Sequence, residues 1–88
     1  MASYEIRFQP SVEKDLRSLP KDVIARAMKR VSELKNDPFP SGAIKLSGSS
    51  RHYRIRIGDY RVVYEVDIPA KCVTIHYIRH RKVAYRGL

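Results

Sequence analysis

The sequence is poor in cysteine and in acidic residues, and it has no long apolar run. Its single cysteine, Cys72, excludes an internal disulfide and a thiolate zinc site, and it suits a reducing cytosol. No apolar stretch approaches the roughly 20 residues that span a membrane, and residues 1–7 show no signal-peptide core. We therefore expect a cytoplasmic protein without membrane contact. The 88 residues suffice for one domain, 1–88, and are too few to enclose a cofactor, so none is expected.

Basic residues outnumber acidic residues by 18 to nine, which gives a formal net charge of +9. Most of the excess lies beyond Pro40, where all three histidines and five of the six tyrosines also lie. Arginine, the main cation there, binds phosphate through a planar fork and stacks on bases. Basic residues interleaved with aromatics are typical of a nucleic-acid surface. The composition favours a polyanionic partner, and a basic face that serves only solubility is the alternative.

Apolar periodicity predicts one strand and two helices in the first half of the chain. Residues 4–8 alternate as a strand with one buried face. Ser11 is the expected N-cap of a helix over 12–18. Pro20 breaks that helix and opens a second over 21–35, which has one continuous apolar face. We expect the two helices to form a hairpin.

Three strands are predicted in the second half. Residues 43–50 are predicted to be a loop, with a short turn or strand as the alternative. Residues 52–57 alternate strictly, Gly58-Asp59 forms a tight turn, and residues 60–66 form the partner strand. The last strand, 72–78, is apolar on both parities, which predicts a central or doubly covered position. Together these elements predict an α+β fold in the order β-α-α-β-β-β. The helical hairpin packs on one face of a twisted, mostly antiparallel four-stranded sheet.

Strand alternation gathers arginines on one face of this sheet. Arg54 and Arg56 share the face opposite Ile55, about 6.6 Å apart, because residues two apart on a strand point the same way. The tight turn brings Arg61 beside Arg56 or Arg54. Because charges cannot stay in the core, we expect this face to be the solvent side. Such crowding of guanidinium groups is easier to explain if a polyanion completes the site. Ordinary polar positions on an exposed sheet are the alternative.

The basic tail, 79–88, adds chemical groups just past the last strand. Arg79, His80, Arg81 and Tyr85 offer cations, an imidazole and a phenol within a short span. If the strand continues, parity places His80 on the side opposite Arg79 and Arg81. Each group alone is weak evidence, and their convergence at a strand end indicates a functional site.

Three segments together resemble the RelE branch of the RelE/ParE toxin superfamily. They are Lys45-Leu46-Ser47-Gly48, then Tyr53 to Val66 with its Arg-x-Gly-Asp-Tyr-Arg-Val-Val-Tyr core, then Ile78 to Arg86 with its His-Arg and Tyr. The β-α-α order and the Leu19-Pro20 break between the helices also match. The resemblance therefore covers nearly the whole chain.

The resemblance implies the toxin of a type II toxin–antitoxin system, which enters the ribosomal A site and cuts mRNA without a metal. The catalytic positions of the family match Arg54 and Arg56 on one strand, Arg61 on the paired strand, then Arg81 and Tyr85. The best-studied members have lysines where this chain has Arg54 and Arg56. Because arginine stays protonated, these two residues would supply charge and leave proton transfer to another group.

Tyr85 is the first candidate for base stacking or proton transfer, and His80 is the second. Asp59, Glu65 and Asp67 form no obvious two-carboxylate magnesium site, so no metal is expected. Further RNA contacts are expected from the remaining basic side chains of the second half. These are Lys45, Arg51, His52, Arg79, Lys82 and Arg86.

The resemblance also implies partners. A RelB-like antitoxin would join the toxin in a hetero-oligomer, and an acidic, partly disordered segment with an apolar stripe would suit the basic face. The ribosome and the mRNA in its A site are the other partners. Two alternatives remain open: a ParE-like inhibitor of DNA gyrase, which resembles this tail less, and a catalytically weakened module that binds RNA or the ribosome.

Overall fold

Two helices and five strands make up residues 3–82, the part of the chain that the computed structural model describes. They are β1 (Glu5–Phe8), α1 (Pro10–Ser18), α2 (Lys21–Glu33), β2 (Ile44–Lys45), β3 (His52–Ile57), β4 (Tyr60–Asp67) and β5 (Cys72–His80). The predicted α+β class and element order are confirmed. The sheet has five strands and not four, because the two residues of β2 pair with Tyr53 and Arg54. Neither helix in this part of the chain is long and apolar enough to cross a membrane.

The strand order in the sheet is β1-β5-β4-β3-β2, and only the β1–β5 pair is parallel. β5 therefore lies inside the sheet with a strand on each side, as its apolar residues on both parities predicted. It runs two residues further than predicted. Arg79 and His80 belong to the sheet and not to the tail, because they pair with Arg61 and Tyr60 of β4.

The core lies between the helices and one face of the sheet. Helical residues contribute Val12, Ala27, Val31 and the nearby Leu34. The strands contribute Ile55, Ile57, Val62, Tyr64, Val66, Val73, Ile75 and Ile78. Each fully buried Val, Leu or Ile side chain of this kind contributes about 1.5–3 kcal/mol. The predicted apolar faces of both helices are thus the faces that cover the sheet.

The start of α1 differs from the prediction. The helix begins at Pro10, since proline has no N–H to leave unpaired in the first turn. Gln9 occupies the N-cap position and makes no side-chain capping bond. The Ser11 hydroxyl instead donates to the His76 carbonyl oxygen at 2.8 Å, which ties α1 to β5. α2 ends at Glu33, two residues earlier than predicted.

A register shift interrupts the β4–β5 ladder at His76. The partner of Val63 is Tyr77, whereas the next residue of β4 pairs with Ile75, so β5 carries one extra residue here. An inserted residue of this kind re-aims a side chain and strengthens the local twist. The ring of His76, next to this shift, contacts Glu65 of β4, with Nε2 3.1 Å from Oε1.

Candidate nucleic-acid interface

The sheet face turned away from the helices carries a row of three arginines. Arg56 pairs with Arg61, and Arg61 pairs with Arg79, so the three side chains leave neighbouring strands on the same side. A strand spacing of about 4.8 Å spreads their Cα atoms over roughly 10 Å. Arg54 shares this face because it lies two residues before Arg56 on β3. We call Arg54, Arg56, Arg61 and Arg79 the arginine face.

The burial of the arginine face differs from its prediction as a solvent side. Arg56 is exposed, but only 7% of Arg61 is accessible. Val63 and Tyr77 are also buried on this face, because Leu46 packs against them in a second small apolar cluster. A charge that has lost part of its hydration interacts more strongly with an anion than an exposed charge does. The face therefore combines an exposed cation, Arg56, with a buried one, Arg61.

Arg54 presents a donor that no described residue satisfies. Its Nη1 atom is buried and has no hydrogen-bond partner within residues 3–82. A buried donor left without an acceptor costs about 1–3 kcal/mol. Over the same residues, no carboxylate forms an ion pair with Arg54, Arg56 or Arg81. An anionic ligand at this point would satisfy the donor and balance the charge.

Arg30 of α2 also reaches the edge of this face, which its sequence position did not reveal. Its Nη1 atom lies 3.5 Å from the carbonyl oxygen of Arg56. It lines an open groove together with Ile44, Arg54 and Arg56. Helical periodicity marks Arg30 only as a solvated residue, because the contact depends on how α2 crosses β3. The groove extends the positive charge from the arginine face around the edge of the sheet.

Asp15 and the Tyr77 ring hold the guanidinium group of Arg79 in place. Its Nε donates to Asp15 Oδ1 at 3.3 Å, and its Cζ lies 4.4 Å from the centre of the Tyr77 ring. The second oxygen of Asp15 accepts the backbone N–H of Ile78 at 3.2 Å. The Asp15 side chain is only 13% exposed. α1 thus fixes the third arginine of the row and offsets its charge.

Arg81 lies at the same end of the sheet as the arginine row. Its backbone N–H donates to the carbonyl oxygen of Asp59 at 2.8 Å, in the turn between β3 and β4. The side chains of Arg81 and Lys82 are both exposed. Tyr85 and Arg86, for which the sequence predicted roles, lie outside the described residues.

Two predicted residues lie away from the arginine face. His80 pairs with Tyr60, and the two rings pack edge to face with their centres 5.3 Å apart. This pair lies on the helix side of the sheet, opposite Arg79, as parity predicted. Lys45 pairs with Tyr53, which packs against the core, so Lys45 also leaves the sheet on the helix side.

Arg51 and His52 lie next to the arginine face and contact one carboxylate. Arg51 Nη1 lies 3.9 Å from Glu65 Oε2, and His52 Nε2 lies 3.9 Å from Glu65 Oε1. His52 Nδ1 also shares a hydrogen bond with Ser49 Oγ. Glu65 therefore offsets positive charge in the neighbouring group of Arg51 and His52.

Comparisons with known proteins agree with this architecture. The family model described as "ParE toxin of type II toxin-antitoxin system, parDE" matches residues 6–85. A relative from Methanocaldococcus jannaschii named RelE1 is 31% identical over 96% of this chain and 97% of its own length. Toxin RelE from Mycobacterium tuberculosis is 31% identical over 94% of this chain and 87% of its own length. In the solved RelE–RelB complex from Pyrococcus horikoshii, a chain 34% identical superposes with a TM-score of 0.80. That match covers 93% of this chain and 99% of the other.

The superposition covers nearly the whole of both chains, so the arrangement of two helices on a mostly antiparallel sheet is the architecture that this chain shares with the Pyrococcus horikoshii protein. The family model describes a toxin of type II toxin–antitoxin systems, and the Mycobacterium tuberculosis relative is named as a toxin. The chain belongs to the RelE/ParE family of type II toxin–antitoxin toxins, as the sequence resemblance predicted.

Proposed function

We propose that the chain is a ribosome-dependent, metal-independent mRNA endonuclease that inhibits translation in the cytoplasm. The observation that carries the proposal is the arginine row on one sheet face, with the unsatisfied donor of Arg54 beside it. Arg54, Arg56, Arg61 and Arg81 bind the scissile phosphate through charge-assisted hydrogen bonds. They also stabilise the charge that develops on the phosphoryl oxygens, which is usually the largest catalytic contribution.

The cleavage step transfers the phosphoryl group within the RNA. The 2′-oxygen loses its proton and attacks phosphorus, and the bond to the 5′-oxygen breaks as that oxygen gains a proton. We assign stacking on a base or proton transfer to Tyr85. His80 ranks second, since its ring lies beside Tyr60 on the helix side of the sheet. Proton transfer of this kind is worth about 10²–10⁴-fold in rate.

The positions of three acidic residues support chemistry without a metal at the arginine row. Glu65 faces two histidines, and Asp59 lies in the turn between β3 and β4. Asp67 Oδ1 accepts the backbone N–H of Ala70 at the far end of β4. These carboxylates do not meet at the row, so they offer no paired oxygen ligands there for a hard divalent cation.

We assign outer RNA contacts to the basic side chains around the arginine face. Arg30 joins this group because it lines the groove beside Arg54 and Arg56. Arg79 contributes less than its position suggests, because Asp15 offsets its charge. The residues that the sequence predicted for this role are Lys45, Arg51, His52, Arg79, Lys82 and Arg86.

We also propose a RelB-like antitoxin as the partner that holds the toxin in a hetero-oligomer. The similar chains from Pyrococcus horikoshii and Methanococcus jannaschii were solved as RelE–RelB complexes. A net charge of +9 suits an acidic partner segment. The exposed Phe8, Ile44 and Ile68 offer contacts for an apolar stripe on that segment.

The test is an in vitro translation reaction in which primer extension maps the ends of ribosome-bound mRNA. The native chain should cut within the A site, and Arg81→Ala should lower the cleavage rate about 10²–10³-fold. Arg17→Ala is the matched control, because it removes an exposed arginine from α1 and should cut at the native rate. Arg61→Ala should also fail to cut, with its fold checked by circular dichroism because Arg61 is buried. Intact mRNA after incubation with the native chain would contradict the proposal.

Inhibition of DNA gyrase is the second candidate, and the description of the matching family model as a ParE toxin favours it. A supercoiling assay with purified gyrase separates the two functions. Loss of supercoiling with intact mRNA would support gyrase as the target. Tight RNA binding with neither effect would identify a catalytically weakened binding module.

A further inference from the structure

His52, Glu65 and His76 converge beside the arginine face, and none of the three has a catalytic role in the proposed cleavage. The distance from Glu65 Oε1 is 3.1 Å to His76 Nε2 and 3.9 Å to His52 Nε2. One ligand atom from each residue lies within 4.8 Å of the other two. Within residues 3–82, no other group of three or more His, Cys, Asp or Glu side chains has its ligand atoms so close to one another.

Three neighbouring strands build this cluster. His52 and Glu65 are cross-strand partners on β3 and β4, so their side chains leave the sheet on the same side. Thr74 pairs with Glu65, so alternation along β5 places His76, two residues later, on the same face as Glu65. The ring centres of the two histidines lie 4.9 Å apart. Strand pairing, and not a flexible loop, therefore sets the positions of all three residues.

A bound cation explains this geometry better than a set of ion pairs does. The His52–Glu65 distance of 3.9 Å is too long for a hydrogen bond. The centres of the two histidine rings lie 4.9 Å apart, and both rings face one carboxylate that also faces Arg51. Ligands about 2.0–2.1 Å from a tetrahedral ion lie roughly 3.3 Å apart, between the two distances found here. All three ligand atoms lie within 4.8 Å of one another, so the His52 ring must move toward the other two ligands when the ion binds.

The ligand chemistry selects the kind of metal. Two imidazoles and one carboxylate are a ligand set that zinc takes at sites with an open fourth position. The three side chains are 27–31% exposed, which leaves room for a water at that position. Magnesium and calcium require oxygen ligands, and this cluster has a carboxylate as its single oxygen donor. Ser49 Oγ, hydrogen-bonded to His52 Nδ1, serves as the outer partner that orients a ligating imidazole.

We infer that His52, Glu65 and His76 form a zinc site that links β3, β4 and β5 beside the arginine face. The ligands are Nε2 of each histidine and the carboxylate of Glu65. In each ring, the tautomer that carries its proton on Nδ1 frees Nε2 to bind the ion. The ion stabilises the folded sheet, because zinc binds the assembled ligands and not the dispersed ones. This site goes beyond the proposed RNA cleavage and does not depend on it.

The test is a calorimetric titration of Zn²⁺ into the full-length, untagged chain after treatment with a chelator. One ion should bind per chain, and the melting temperature should rise with added Zn²⁺. His76→Ala and Glu65→Gln should abolish the binding. Ser49→Ala should weaken it about 10–100-fold. His80→Ala is the matched control, because it removes the histidine on the opposite sheet face and should bind Zn²⁺ as the native chain does.

A second measurement replaces Zn²⁺ by Co²⁺ and records its visible absorption. The native chain should give the absorption intensity of a four-coordinate site, and Glu65→Gln should give none. Circular dichroism checks that each variant folds. If a variant of a ligand residue does not fold, the Zn²⁺ affinity of Ser49→Ala becomes the deciding measurement. No uptake by the native chain, or equal loss in His80→Ala, would overturn the inference. Arg81→Ala should keep full Zn²⁺ affinity, so failure of the zinc site is distinguishable from failure of the proposed nuclease.

Discussion

Arg56 and Arg61 are direct partners across the β3–β4 ladder, and Arg79 follows Arg61 in the same row. Like charges directly opposite each other destabilise a sheet. Two side chains of opposite charge at these positions would stabilise the hairpin instead. Functional sites commonly contain groups that lower the stability of the folded protein, and this pair of like charges is such a group.

Replacing Arg56 should therefore stabilise the protein. We expect Arg56→Gln to raise the free energy of unfolding by about 0.2–1 kcal/mol at low salt, because it removes the repulsion across the ladder. Urea unfolding followed by circular dichroism measures this change. Arg17→Gln is the control, since it breaks an exposed pair with Glu13 and should lower stability by about 0.3–0.5 kcal/mol. A destabilised Arg56→Gln variant would show that other contacts outweigh the repulsion.

Arg54 should contribute one phosphate contact to RNA binding. The binding constant falls as the salt concentration rises. On a plot of the two logarithms, each phosphate contact to a single strand makes the negative slope steeper by about 0.7. Arg54→Gln should reduce the magnitude of that slope by this amount, measured by fluorescence anisotropy with a labelled oligonucleotide. Arg17→Gln loses the same charge on α1 and should leave the slope unchanged. Equal slopes for the native chain and Arg54→Gln would remove Arg54 from the binding site.

Tyr64 should hold the loop before β2 against the sheet. Its hydroxyl donates to the carbonyl oxygen of Pro38 at 2.8 Å, and its side chain is fully buried. Tyr64→Phe leaves that carbonyl without its partner, so we expect a loss of about 1–3 kcal/mol in the free energy of unfolding. Chemical denaturation measures the loss. Tyr60→Phe is the control, because it removes a hydroxyl from a partly exposed tyrosine.

The same residue predicts a pH dependence at the alkaline end. Burial raises the pKa of Tyr64 above its ordinary value of 10.0, so the hydroxyl keeps its proton in the folded state when the unfolded chain has lost it. The stability from this group is complete below pH 10.0 and is lost as the pH rises further. The difference in unfolding free energy between the native chain and Tyr64→Phe should therefore shrink above that pH. A constant difference up to the onset of general unfolding would contradict this linkage.

Asp15 should couple α1 to the last strand. Asp15→Ala removes the acceptors of the Ile78 N–H and the Arg79 Nε, and we expect a loss of about 1–3 kcal/mol in stability. Asp15→Asn keeps one acceptor and should lose less. Asp15→Asn also removes the negative charge that offsets Arg79, so this variant should bind RNA more strongly at low salt. Unfolding and anisotropy measurements on both variants test the two effects, and unchanged stability in Asp15→Ala would show that the contact is not made.

Alternation within β3 and β4 was enough to predict that Arg54, Arg56 and Arg61 share one sheet face, whereas the place of Arg79 in the sheet and the burial of Arg61 were not predicted. A two-residue turn between strands fixes the register, so Arg61 falls opposite Arg56 once the turn is recognised. β5 was assigned inside the sheet because its apolar residues occur on both parities. These features depend on neighbours in the sequence, and a single chain carries that information.

Features that depend on distant contacts could not be predicted. The extra residue at His76 breaks the alternation of β5 without a glycine or proline to mark it. The bond between Asp15 and Arg79 joins a helix to a strand far along the chain. Ser11 looked like an N-cap because serine favours that position, yet Pro10 starts the helix and leaves the hydroxyl for His76. In each case, tertiary packing decided between locally acceptable arrangements.

The parallel pairing of β1 with β5 sets the order in which a nascent chain can become active. The amino-terminal strand emerges first from the exit tunnel and must wait for nearly the whole chain before its partner is made. β4 likewise lacks its second neighbour until β5 has emerged. A nascent chain therefore has an incomplete sheet until β5 has emerged, because β1 and β4 both pair with β5. The row of Arg56, Arg61 and Arg79 is thus complete only after the last strand of the described residues has been made.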